Sequence, residues 1–170
     1  MSTQLILTVM ADDQPGIVKK LSECVASQNG NWLESRMTRM AGKFAGIIRI
    51  ECQDDKLKPL HTQLDKLISS GIRVTVDYSE IGEKPAATEQ INFTVTANDR
   101  TGIVREVSNV LAMLGVNMEN LETLVESAPM FSGLVFKAEI AATLPASVEI
   151  QAVIDALEQL SDDLIVDIQD

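Results

Sequence analysis

The stretch Leu7-Thr8-Val9-Met10-Ala11-Asp12-Asp13-Gln14-Pro15-Gly16-Ile17-Val18 returns 86 residues later as Phe93-Thr94-Val95-Thr96-Ala97-Asn98-Asp99-Arg100-Thr101-Gly102-Ile103-Val104. In both places an apolar, β-branched run meets Asp or Asn, then a glycine, then the aliphatic start of a helical pattern. At the same offset Asn31 falls on Asn117, and a slip of one residue sets Phe44-Ala45-Gly46 on Phe131-Ser132-Gly133. Two copies at one long offset mean two homologous domains, not a solenoid. Shared between them, 170 residues give units of about 80 residues, near the lower end of what folds alone.

Working outward from the first copy, residues 4–10 read as a strand. Asp13 and Pro15 signal a helix start; Ile17, Leu21, Cys24 and Val25 recur at helical spacing, and Asn29-Gly30 ends the run. Residues 31–40 and 43–52 read as strands around the turn Ala41-Gly42. Asp54-Asp55 opens a second helix whose apolar stripe is Leu57, Leu60, Leu64, Leu67 and Ile68; Gly71 ends it, and Ile72, Val74, Val76 and Tyr78 alternate as a last strand. The second copy repeats the order: strand 90–96, helix 101–114, strands near 116–126 and 131–141, helix 147–160 and strand 164–168. The fold class is α+β, βαββαβ twice. Right-handed crossovers give each unit an antiparallel sheet of order 4-1-3-2, both helices on one face and the second strand on an edge. The expected division is residues 1–80, a small polar linker at 81–88, and residues 89–170.

Composition narrows the function classes. Net charge is −11 and it is lopsided: residues 1–85 carry 11 acidic and 11 Lys/Arg side chains, whereas residues 86–170 carry 14 acidic and 3 basic ones. Phosphate backbones repel such a chain, because nucleic-acid affinity comes mainly from Lys and Arg, and no basic patch with interleaved aromatics is present. No apolar run reaches the length of a membrane helix and no secretory leader is visible. Two cysteines and one histidine make neither a disulfide framework nor a zinc pattern, so no metal or cofactor is called for and a cytoplasmic setting is expected. His61 has no nucleophile or carboxylate arrangement around it, and Cys24 and Cys52 read as packing thiols, so no catalytic residue is assigned.

Binding chemistry concentrates at the strand–helix junctions. First-turn amides of a helix lack intrahelical acceptors and sit at the positive end of its dipole, so those of Gly16, Ile17 and Val18 can hold a carboxylate. Asp12 and Asp13 stand just before them, and Asn31 opens the second strand with a donor and acceptors. Amides beside carboxylates suit a zwitterion, hence a small amino acid. The alternative is plainer: Asp13 caps the helix and Gly16 permits a tight turn. The second copy departs from the first, with Asn98 for Asp12, Arg100 for Gln14 and Thr101 for Pro15.

An Asp-x-Pro-Gly-Ile-Val junction after a strand, in a βαββαβ unit of this size, resembles the ACT domain. Two such units filling a short chain resemble the glycine cleavage system transcriptional repressor family. The likeness runs over residues 3–79 and 89–169. It implies amino-acid binding where two units meet, at the junction loop and the start of the second strand: Asp12, Asp13, Pro15, Gly16, Ile17, Val18 and Asn31, with counterparts Asn98, Asp99, Thr101, Gly102, Ile103, Val104 and Asn117. It also implies an intramolecular pseudo-dimer and a repressor that contacts a transcriptional activator protein rather than DNA, with glycine as the favoured effector. A homo-oligomer through the free edge strands is a further expectation. A ligand-free interaction module and a small enzyme are the alternative functions.

Strand alternation adds one expectation about charge. Arg36, Arg49 and Arg73 share the parity opposite the core in the first copy, and Glu122, Glu139 and Asp167, with Lys137 the exception, do so in the second. A basic open sheet face is thus expected in one unit and an acidic one in the other.

Overall fold

The computed structural model describes residues 1–79, 89–130 and 132–169. Two compact units divide the chain, Met1–Glu83 and Lys84–Asp170. The expected linker at 81–88 and Phe131 lie outside the described residues.

The first unit runs β1 (Ser2–Asp12), α1 (Ile17–Ser27), β2 (Asn31–Met40), β3 (Lys43–Gln53), α2 (Leu57–Lys66) and β4 (Ile72–Tyr78). The second runs β5 (Glu89–Asn98), α3 (Ile103–Met113), β6 (Asn117–Ser127), β7 (Leu134–Leu144), α4 (Ile150–Glu158) and β8 (Ile165–Gln169). Each builds one antiparallel sheet, ordered β2-β3-β1-β4 and β6-β7-β5-β8, which is the expected 4-1-3-2 arrangement twice.

Alternation decides where each core lies. Leu5, Leu7, Val9 and Ala11 of β1 point one way and are buried with Ile48 and Ile50 of β3, Ile17, Leu21 and Val25 of α1, and Leu60 and Leu64 of α2. Phe93, Val95, Ile140, Val107, Leu111, Val153 and Leu157 form the matching core of the second unit. Burying each such aliphatic or aromatic side chain stabilises its unit by about 1.5–3 kcal/mol before conformational entropy is set against it.

Some local expectations need correction. Asp54–Lys56 form a 3-10 turn before α2, and Leu67–Ser70 form another after it, so Ile68 leaves the apolar stripe and is exposed. The second hairpin is longer than the first: Phe44 opposes Ala11 and Phe136 opposes Ala97, so the true counterpart of Phe44 is Phe136 and not Phe131. The basic sheet face is in fact mixed. Arg36, Arg49 and Arg73 do lie on the open side, opposite Ile47, Ile6 and Met10, but Glu34 and Asp77 share that side and Glu34 Oε2 accepts from Arg49 Nη2 at 3.1 Å. The acidic face holds: Glu122 and Glu139 oppose each other on β6 and β7, and Asp167 on β8 opposes Thr94.

The turn between β2 and β3 consists of Ala41 (φ 48°) and Gly42 (φ 76°) alone, two positive φ values as in a type I′ turn. Alanine is a poor occupant, since its Cβ disfavours the left-handed region by about 1 kcal/mol, whereas asparagine tolerates it. Ala41→Asn is expected to stabilise the first unit by about 0.5–1 kcal/mol. Urea unfolding followed by circular dichroism checks this; an unchanged or lower midpoint would contradict the turn assignment.

Candidate functional site

Both junctions are built alike. After β1 the Asp13 amide donates to the Gly42 carbonyl at 2.9 Å, and after β5 the Asp99 amide donates to Leu134 at 2.9 Å, so each loop is pinned to the neighbouring hairpin. The chain then turns through a left-handed glycine, Gly16 at φ 89° and Gly102 at φ 92°, whose carbonyl accepts the first helical bond, from Lys20 and Glu106 respectively. No side chain caps either helix. Asp13 is therefore not a cap: hairpin residue Arg39 stands beside it and Nη1 donates to its carboxylate at 3.3 Å. Among the described residues the amides of Gly16, Ile17 and Val18 meet no hydrogen-bond acceptor, and a Cβ placed on Gly16 would have no atom within 4 Å. The anion-binding corner read from the sequence is open.

Its acidic flank is not free. Asp12 accepts from the Lys43 ammonium, which holds its carboxyl below the usual carboxylate range. All four side chains of these two ion pairs keep much of their surface in solvent, so each contact is worth roughly 0–1 kcal/mol and can exchange for a ligand ammonium. Pro15 is exposed in the same loop, Ile17 is buried in the core, and Val18 is exposed.

Asn31 is not brought to this corner within its own unit. It opposes Glu51, whereas Asp12 opposes Lys43, eight residues away along β3 and thus roughly 27 Å distant. Asn117, opposite Thr143, is equally far from Asn98, opposite Val135. What runs beside α1 toward Asn31 is a groove of about 270 Å³ lined by Val18, Ser22, Val25, Ala26, Gly30 and Trp32. In the second unit the cleft between Val104, Val107, Met118 and Leu121 holds only about 10 Å³. Trp32 and Met118 occupy matching register positions, opposite Ile50 and Ala142.

The second junction differs chemically. Arg100 Nη2 donates to Glu106 Oε2 at 2.6 Å, which holds the Glu106 carboxyl below its ordinary range. Arg105 reaches to 3.6 Å from where a Gly102 Cβ would stand. The Asn98 amide donates to Asp163 Oδ2 at 2.8 Å, and hydrogen bonds from Ser161 and that amide hold the Asp163 carboxyl down. Thr101 is exposed, Gly102 half-buried, Ile103 buried and Val104 exposed. Arg39, Lys43, Glu106 and Asp163 were not singled out in the sequence. The 4-1-3-2 strand order would have found Lys43, since the hairpin's return strand must run beside β1 and bring it against Asp12.

Elsewhere chemistry is sparse. Burial pushes both cysteine thiols up, away from the reactive thiolate, and His61 is half-buried on α2. Among the described residues no cluster of His, Cys, Asp and Glu could hold a metal ion, and no helix is long and apolar enough to cross a membrane.

Residues 3–77 match the family model of the ACT domain. The first unit is an ACT domain, the second repeats its topology and its left-handed glycine, and the chain is a tandem ACT-domain protein. A solved "unknown protein" from Galdieria sulphuraria is 24% identical, with a TM-score of 0.85 over 99% of this chain and 98% of that one. A solved "putative glycine cleavage system transcriptional repressor" is 17% identical, with a TM-score of 0.73 over 99% of this chain and 97% of that one. Comparison with curated protein sequences finds no match.

Two predictions come from the junctions. Gly16→Ala and Gly102→Ala each place a Cβ at φ near 90° and are expected to cost about 1–2 kcal/mol in urea unfolding, although there is room for the methyl group. An unaffected midpoint would remove the conformational constraint. For the Arg100–Glu106 pair the sign follows from a depressed carboxylate. Its stabilisation is fully present above the ordinary value of 4.5 and is lost as pH falls through the lower folded value. Glu106→Gln should therefore flatten the acid limb of thermal stability below about pH 4.5 while altering little at pH 7 beyond the lost pair. An acid limb as steep as the parent's would exclude the pair as its source.

Proposed function

We propose that this protein is an amino-acid-responsive regulator, a repressor of the glycine cleavage system that contacts a transcriptional activator protein and does not bind DNA itself. The observation that carries the reading is the Gly16 corner: three acceptor-free amides at a helix N-terminus, beside exchangeable carboxylates. The amides suit a ligand carboxylate, and Asp12 or Asp13 suits its ammonium. The full-length fold likeness to the solved protein bearing the repressor name supports the biological role. Net charge −11 weighs against direct contact with a phosphate backbone. No acid–base or nucleophile set among the described residues argues for catalysis.

Glycine is the favoured effector, because the corner offers groups for the two charged ends of an amino acid. The first unit is the better receptor: its groove is open and its acidic flank is complete, whereas the second has Asn98 for Asp12, two arginines nearby and a closed cleft. A ligand acts by its differential affinity for two states of the chain, so glycine would alter partner binding only by that difference.

Calorimetry of the full chain against the twenty amino acids tests this. Heat is expected for glycine or another small amino acid, with one site per chain, and weakened more by Gly16→Ala than by Gly102→Ala. Ligand at 100 times its dissociation constant should stabilise the folded state by about 2.7 kcal/mol. Absence of heat and of any thermal shift up to millimolar concentrations would leave a ligand-free interaction module.

A further inference from the structure

The open sheet faces of the two units carry complementary charge at matched spacing. On the first unit, equivalent positions across the four strands read Arg36, Ile47, Thr8 and Thr75 in one row, and Thr38, Ala45, Met10 and Arg73 in the next. On the second unit the corresponding rows read Glu122, Glu139, Thr94 and Asp167, then Leu124, Lys137, Thr96 and Ile165. Arg36 and Arg73 are exposed and pair with no carboxylate among the described residues, and neither Glu122 nor Asp167 pairs with a cation. Lys137 Nζ lies 3.4 Å from Glu139 and neutralises it internally. Asp77, the remaining unpaired carboxylate on the first face, stands two positions along β4 beyond Thr75, at the rim.

The unpaired charges all stand on outer strands. The cations are on β2 and β4, the carboxylates on β6 and β8, each pair separated by three strand spacings or roughly 14 Å. A face of the first kind laid on one of the second meets a carboxylate under each arginine whichever way round the strands are stacked. Between the charges lie exposed aliphatic groups, Met10 and Ile47 on one side and Leu124 and Ile165 on the other. A hollow of about 180 Å³ floored by Ile6 and Ile47 adjoins Arg36 and has room for an aliphatic side chain.

We propose that these faces join two copies of this chain: the first unit's sheet packs on the second unit's sheet of the other copy, and reciprocally. Each face covers roughly 450 Å² from strand spacing and rise, so two reciprocal contacts bury roughly 1,800 Å² in all, within the range of stable specific interfaces. Because the contact joins unlike faces and occurs twice, it closes on a pair and leaves no free face to propagate a fibre. The Glu122–Glu139 juxtaposition costs stability in a free sheet and is relieved when a guanidinium approaches.

Sedimentation of the full chain tests this with two double reversals, Arg36→Glu with Arg73→Glu, and Glu122→Arg with Asp167→Arg. The parent is expected to form a two-chain species that weakens at least tenfold between 50 and 500 mM salt, as contacts between exposed charges do (about a threefold shorter screening length). Each reversed chain alone sets like charges against like at both contacts and should be monomeric, with an unchanged circular dichroism spectrum. Mixed one to one, the two reversed chains have complementary charges at both contacts and should recover the pair. A parent that stays monomeric to 100 μM, a pair indifferent to either reversal, or a mixture that fails to associate would each overturn the proposal. Calorimetry with glycine on the same chains reads the Gly16 corner separately, so either result stands without the other.

Discussion

Two helices can cover only one face of a four-stranded sheet, and the rest of this molecule follows from that limit. Strand alternation sends Leu5, Leu7, Val9 and Ala11 to the covered side and leaves Ile6, Thr8 and Met10 on the other. The covered side is therefore free to be wholly apolar. The open side must tolerate water, and it does so with threonines and charges. Stability and recognition are thus written into alternate residues of the same strands. Duplication copied the covered pattern closely and let the open pattern diverge, which is why the cores match residue for residue while the faces differ in charge.

The same limit explains the junction. A strand that ends at the sheet margin must reverse onto the covered face within a few residues, and a left-handed residue makes the reversal compact. Gly16 and Gly102 serve that need, with φ values of 89° and 92°. The turn aims the first amides of α1 and α3 outward, away from any cap. The helix start is then a place where an exposed dipole end costs the fold little and a ligand anion gains directly.

Much of this was legible in the sequence. The repeat, the strand order and the core parity follow from alternation and from turn residues, because burying one face leaves a strand a single acceptable register. The site was legible only in part. Gly16, Ile17 and Val18 declare their amides by position alone. The fate of Asp12 and Asp13 depended on Lys43 and Arg39, some thirty residues on, and only the pairing of β3 with β1 and the course of the hairpin bring those cations close. Asn31 was drawn into the set by family likeness, yet a strand of ten residues carries its first residue to the far end of the sheet. The basic face failed for a similar reason: counting arginines by parity overlooked Glu34, which the Trp32/Glu34 bulge places directly opposite Arg49.

The divergence between the units is directional rather than random. Around the first junction a groove stays open where Gly30 and Trp32 flank α1. Around the second, Met118 and Leu121 fill the cleft, and Arg100 is drawn onto Glu106. Filling a cleft with aliphatic groups and tying a loop cation to its own helix both favour a fixed structure over an exchangeable one. The first unit keeps exposed ion pairs that a ligand can displace at small cost, and it keeps the unpaired arginines of its open face. Adaptable groups thus gather in one copy and settled ones in the other, the division that a sensor coupled to a scaffold requires: one half has to change its contacts when a ligand arrives, and the other has to hold still for the change to be felt.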